Sequence, residues 1–174
     1  MQNVKVGLVG AGTIGMRHIQ AIDALKEISL VAIADPSLTV EGLVTKRAIP
    51  LYKEAQTMFE AGNLDAVIVA APTNHHYDIV MNALNHHLTV LVEKPITATI
   101  EEARKVTSFA YKQKCQVLVG HQRRYYPCTK TAKDIIHSGR IGTLMAMTGQ
   151  WTVRKDSQYY EPHWRRQVEA GPIL

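Results

Sequence analysis

Three glycines at positions 10, 12 and 15, within VGLVGAGTIGMRHIQAI (6–22), constrain this chain more than any other feature. The run Val4–Val9 before them is alternating and β-branched, the pattern of a buried strand. After them Ile14, His18, Ala21 and Leu25 recur at helical spacing, which predicts a helix with that inner face. Strand, glycine turn and helix in this order are what a dinucleotide site requires. Gly10 suits the tight turn, Gly12 lets backbone approach a pyrophosphate, and Gly15 lets helix lie close on strand. Thr13, Ile14 and Gly15 open the helix, where unpaired N–H groups and the positive dipole end favour phosphate. Glycine-rich turns are common, so the flanking elements carry the reading.

The next strand, SLVAIAD (29–35), ends on Asp35, twenty residues beyond Gly15, where such a fold places the group that binds the adenosine ribose. A carboxylate there accepts from both ribose hydroxyls and repels a 2′-phosphate. No arginine follows at Pro36, Ser37 or Leu38. NAD is therefore expected as cofactor, in preference to NADP. Asp-Pro pairs also start turns, and that plainer role for Asp35 stays open.

Strand and helix alternate through the first two-thirds of the chain. A helix is expected over 37–47, a short strand IPLY (49–52) and a helix EAQTMFEAG (54–62) stopped by glycine. The strand DAVIVAA (65–71) precedes a helix from about Asn74 to His87, and the strand LTVLVE (88–93) follows. Thr99 with Glu102 forms a capping-box pattern for a helix running to about Gln113, before the strand CQVLVG (115–120). Alternation of this kind predicts an α/β fold, a doubly wound parallel sheet of the Rossmann type. The pattern changes after Tyr125. Pro127 to Ser138 reads as a helix, and GTLMAMTGQWTV (142–153) as the first strand of a different sheet. The expected plan is a dinucleotide-binding domain over 1–125, then over 126–174 a linker helix and the start of a truncated second α+β domain. The apolar PIL at the end, with nothing after it to pack against, prompts the expectation of truncation.

Bulk properties exclude several classes. No run of eighteen apolar residues is present, so no membrane-spanning helix is expected, and no charged-then-apolar leader precedes the first strand. Two cysteines, Cys115 and Cys128, make no disulfide framework and suit packed thiols in a reducing, cytoplasmic setting. The net charge of +5 is scattered apart from Arg123-Arg124 and Arg165-Arg166, which does not support nucleic-acid binding. Eight histidines invite a metal site, but His75-His76 and His86-His87 are adjacent pairs that point apart on a helix, so none is expected. His18 is expected as a satisfied core residue on the inner face of the first helix.

Three stretches fall where parallel strands end, the place where ligands bind in such sheets: APTNHHY (71–77), EKP (93–95) and GHQRRYYP (120–127). With GAGTIG, the Asp35 strand end and the late WRR…AGPIL, they resemble the glucose–fructose oxidoreductase, inositol dehydrogenase and rhizopine-catabolism (Gfo/Idh/MocA) family over the full length present. The resemblance implies a nicotinamide-dependent oxidoreductase acting on a sugar or cyclitol, and a homo-oligomer formed through the second-domain sheet. It implies Lys94 as the catalytic residue beside the nicotinamide, with Glu93 orienting cofactor and lysine. Pro72, Thr73, Asn74 and His76 resemble the family's cofactor-contacting turn, though Thr73 or Asn74 also makes a sensible N-cap. Gln122 stands where relatives usually carry Asn, and remains a cofactor contact. Trp164-Arg165 resembles a pair that folds back over the cofactor; a solvated basic loop is the plainer alternative. The Lys94–Pro95 bond is a candidate for a cis peptide.

One departure follows from the resemblance. The family's further catalytic groups, an Asp or Asn and a His four residues later, come just after the segment that aligns with AGPIL, and this chain ends at Leu174. These residues alone are therefore expected to bind cofactor with weak or no turnover. A non-catalytic dinucleotide-binding module is the alternative.

Overall fold

The structure is a computed structural model and describes residues 3–37, 40–150, 152–154 and 156–161. These fall into two compact units, one ending at Gly120 and the other beginning at His121. In the first unit a six-stranded parallel sheet has the order β3-β2-β1-β4-β5-β6. Its strands are β1 (Val4–Val9), β2 (Ile28–Ala34), β3 (Leu51–Tyr52), β4 (Ala66–Val69), β5 (Thr89–Glu93) and β6 (Val117–Gly120). The helices between them are α1 (Thr13–Asp23), α2 (Glu41–Arg47), α3 (Ala55–Glu60), α4 (His76–Asn85) and α5 (Ile100–Gln113). The order reverses between β1 and β4, which opens a crevice at the carboxyl ends of those strands.

Continuous apolar strands place core on both faces of the sheet. One cluster joins Val67, Val69, Val90 and Val92 to Val80, Leu84 and Val106 on α4 and α5. The other joins Val6, Leu8, Ile33 and Ile68 to Ile19 and Ile22 on α1 and Val44 on α2. At the start of α5 the capping box is complete: Thr99 Oγ1 accepts from the Glu102 N–H at 3.2 Å, and Glu102 Oε2 accepts from the Thr99 N–H at 3.1 Å.

The inner face of α1 differs from the sequence expectation. Gly15, Ile19 and Ile22 are buried, whereas Ile14 and Leu25 are 40% and 49% exposed and Ala21 also faces outward. Gly15 sets the phase: a Cβ there would fall on the Gly10 carbonyl oxygen, so this face must lie on the turn, and positions 19 and 22 follow it.

The second unit holds α6 (Pro127–His137), preceded by a 3-10 turn at Gln122–Tyr125 and followed by another at Ser157–Tyr160. The strand expected over 142–153 is not formed: residues 142–150 and 152–154 carry no strand. A long, partly apolar run suggests a strand, but a strand also needs a neighbour to take its backbone N–H and C=O groups. No strand of this unit is present among the described residues to do so. The cysteines form no disulfide; Cys115 is half-buried, and Cys128 on α6 is exposed rather than packed. Among the described residues no helix is long and apolar enough to cross a membrane.

Candidate cofactor site

The carboxyl ends of β1, β2, β4 and β5 bring most of the sequence-predicted residues together. Gly10 leaves β1 at φ +87°, a conformation that favours glycine, and its N–H donates to the Ala34 carbonyl at 2.9 Å. A Cβ on it would stand 2.8 Å from the backbone of Ala70 and Ala71. The fold therefore demands glycine at both 10 and 15. Gly12 is different: its backbone is extended (φ −68°, ψ −164°), and a Cβ there would meet no protein atom within 4 Å. Nothing in the polypeptide itself requires glycine at this position. Gly12 is exposed immediately before Thr13 and Ile14, which begin α1. That helix has neither a side-chain cap nor an acid in its first turn, so its leading N–H groups are unclaimed by side chains.

Asp35 lies just beyond β2, half-buried, with both oxygens engaged by backbone. Oδ2 accepts from the Ala11 N–H at 2.7 Å and Oδ1 from the Ser37 N–H at 2.7 Å. The turn role is present, and each carboxylate oxygen keeps capacity to accept a further hydroxyl. The Ala11 bond ties the acid directly to the glycine turn.

After β4, Pro72 leads into a 3-10 turn at Thr73–His75, with Thr73 buried and Asn74 exposed. His76, expected as a cofactor contact, is placed otherwise. Its ring is 1% exposed, with Nδ1 2.8 Å from the Pro95 carbonyl oxygen and Nε2 2.8 Å from the Ala71 carbonyl oxygen. Both ring nitrogens face backbone carbonyls, so the buried side chain sits between the turns after β4 and β5.

At the end of β5, Lys94 is exposed and its bond to Pro95 is cis. Glu93 is half-buried, and its Oε1 stands 2.9 Å from His18 Nε2, while Oε2 accepts the Lys94 N–H at 3.3 Å. The hydrogen bond from His18 holds the Glu93 carboxyl below its ordinary range, against the opposing effect of burial; the charges of His18 and Lys94 act in the same lowering direction. His18 is thus satisfied, as the sequence suggested, but by Glu93 and half-buried instead of in the apolar core. Gly120 was also missed. It pairs with Glu93 in the β5–β6 register, and a Cβ on it would stand 3.0 Å from Glu93 Oε1. The phase set by Gly15 could have revealed His18, three residues along the same helix.

Gln122 is exposed on the 3-10 turn of the second unit, and Trp164 and Arg165 lie outside the described residues. Among the described residues no three His, Cys, Asp or Glu side chains gather as a metal site would need.

Sheet order and crevice together define a doubly wound, Rossmann-type protein. Residues 4–121 match the Gfo/Idh/MocA family, described as an oxidoreductase family with an NAD-binding Rossmann fold, and the chain belongs to it. It is 36% identical over 152 residues to the rhizopine catabolism protein MocA of Rhizobium meliloti, covering 87% of this chain and 48% of that protein. It is 28% identical over 145 residues to an inositol 2-dehydrogenase of Rhizobium meliloti (strain 1021), covering 83% and 44%. The chain thus spans about half the length of the curated relatives it matches. In fold it is similar to scyllo-inositol dehydrogenase from Lactobacillus casei, solved with bound NAD(H) and scyllo-inositol. The TM-score is 0.77 at 24% identity, covering 81% of this chain and 43% of that one.

Proposed function

We propose that this chain is the NAD(H)-binding part of a dehydrogenase that transfers a hydride between the nicotinamide and the hydroxyl-bearing carbon of a sugar or cyclitol. The observation that carries the cofactor reading is the contrast among the three glycines. Two are demanded by the fold, and at the third a Cβ would meet no protein atom, which leaves room for an occupant beside the turn. That occupant is a pyrophosphate, against the uncapped start of α1.

Asp35 supports NAD(H) over NADP(H), because a 2′-phosphate would meet the carboxylate at close range; two like charges about 4 Å apart near a protein surface repel by up to about 4 kcal/mol. Bound NAD+ supplies the hydride acceptor. The chain's own residues then supply position and proton handling. Lys94 is the proposed catalytic residue: as the amine it takes the hydroxyl proton, and as the ammonium it stabilises developing alkoxide charge. Its exposure at the mouth of the crevice leaves the side chain free to reach a substrate. Pro72, Thr73 and Asn74 line the β4 side. Gln122, Trp164 and Arg165 remain proposed contacts by family resemblance. The relatives that are inositol 2-dehydrogenases support a cyclitol or related polyol as substrate. By itself the 174-residue chain is proposed to bind cofactor with little turnover, since Lys94 is the one catalytic group assigned to it. The same reading carries a cytoplasmic setting, suited to two unpaired thiols, and self-association through the second unit, where Leu144, Met145 and Met147 are exposed.

Calorimetric titration with NADH and NADPH tests the cofactor. NADH is expected to bind at least about tenfold more tightly, or about 1.4 kcal/mol. Asp35→Ala is expected to cost NADH roughly 1–3 kcal/mol and to narrow that preference. Equal or tighter binding of NADPH to the unaltered chain refutes the assignment.

A further inference from the structure

We propose that His18 is a positioning residue of this site, which acts through Glu93 to fix the base of Lys94 relative to the cofactor turn; the proposal rests on the dinucleotide reading above. The sheet order explains why such a link matters. β4 lies between β1 and β5, so no ladder hydrogen bond joins the β1–α1 turn to the strand that carries Lys94. His18 on α1 and Glu93 on β5 are 75 residues apart in sequence, and their 2.9 Å contact crosses that gap directly. The carboxylate is fixed from three sides. Oε1 meets the His18 ring, Oε2 accepts the Lys94 N–H, and the bare Cα of Gly120 on β6 leaves the space it occupies. A half-buried carboxylate held this way stiffens the residue that immediately precedes Lys94.

In a doubly wound sheet each half binds one mononucleotide, and the dinucleotide spans the crevice. Asp35 on β2 belongs to the adenosine half, and the β4–β5 ends belong to the nicotinamide half. The His18–Glu93 link should therefore govern how the nicotinamide half is held and leave the adenosine half alone. Its groups are few: His18 from α1 and Lys94 from the same strand act electrostatically on Glu93.

The test compares NAD+ with ADP, which carries only the adenosine and pyrophosphate, on the 174-residue chain and on His18→Ala and His18→Gln. His18→Ala is expected to weaken NAD+ about tenfold and to leave ADP within about twofold, the scale one charge-assisted hydrogen bond controls. His18→Gln, which restores an N–H donor, is expected to recover most of the loss. A carboxyl NMR titration supplies the second readout. In His18→Ala the Glu93 midpoint is expected to move up toward the ordinary glutamate range. Glu101, lowered by its own partner Lys105, should stay in place. Unchanged NAD+ affinity in His18→Ala, or equal losses for NAD+ and ADP, overturns the proposal while leaving the cofactor reading intact. If the unaltered chain binds neither ligand, the cofactor reading fails and the proposal falls with it.

Discussion

Replacing Gly12 with alanine should make the cofactor-free protein slightly more stable and bind cofactor worse. The Cβ added there meets no protein atom within 4 Å, and φ −68° with ψ −164° is backbone any residue adopts. No packing or torsional cost arises, while the unfolded chain loses conformational freedom. The expected gain is about 0.4–1 kcal/mol. The same methyl group occupies the space where a pyrophosphate would lie against the turn, so affinity for NADH should fall by at least about tenfold, or about 1.4 kcal/mol. Gly15→Ala should behave in the opposite way. Its Cβ would land on the Gly10 carbonyl oxygen, so α1 must shift outward, and overpacking of this kind costs about 1–3 kcal/mol or more. Gly10→Ala combines a left-handed φ of +87° with contacts of 2.8 Å to backbone. It should lose about 2–5 kcal/mol when the left-handed and overpacking costs are combined. Urea unfolding without cofactor and calorimetric titration with NADH separate the two effects. The reasoning is refuted if Gly12→Ala unfolds at markedly lower urea, or if it binds NADH as well as the unaltered chain.

Thr99→Ala removes the side-chain half of the capping box on α5 and should cost about 1 kcal/mol in urea unfolding, with Ser restoring most of it. The pH dependence of stability should carry the signature of Glu93. Its carboxyl is held below the ordinary value of 4.5, so the native state gains stability at higher pH. That gain is lost as pH falls below 4.5 and through the lowered native value. Stability measured from pH 6 to 3 should therefore fall less steeply in His18→Ala than in the unaltered chain, and identical slopes would contradict this account.

The alternation of strand and helix was readable because buried parallel strands are continuous apolar runs, and VGLV, AVIV and TVLV have few other ways to be satisfied. The Thr99–Glu102 cap was readable because its two bonds are local. The phase of α1 was not read correctly, because Ile14 and Leu25 weigh more on a hydrophobic wheel than a glycine does. A missing side chain nevertheless decided which face could touch the turn. Placing His18 three residues beyond Gly15 then follows, whereas its partner Glu93, 75 residues away, is given only by the folded sheet. His76 was ambiguous for another reason: a histidine in a first helical turn can point into the crevice or under it, and only the carbonyls of Ala71 and Pro95 decide. The residues from 142 onward make a long run with an apolar stretch, LMAM, and no helix signal after it, but pairing is a property of two segments and one segment cannot announce it.

The placement of the glycine turn also bears on the order in which the chain can assemble. Gly10 is enclosed from one side by Ala34 of β2, which closes a short loop, and from the other by Ala70, whose N–H donates to the Val9 carbonyl at 2.8 Å across a much longer one. Because closure entropy grows only slowly with loop length, the second contact is a modest further cost; it is nonetheless non-local and must wait for distant chain. A nascent polypeptide could form β1, α1 and β2 early and still lack the wall against which Gly10 closes. The glycine turn is then completed when β4 docks, so, on the proposed function, cofactor binding in pulse-refolding experiments should appear with the protection of β4 amides and not with that of α1.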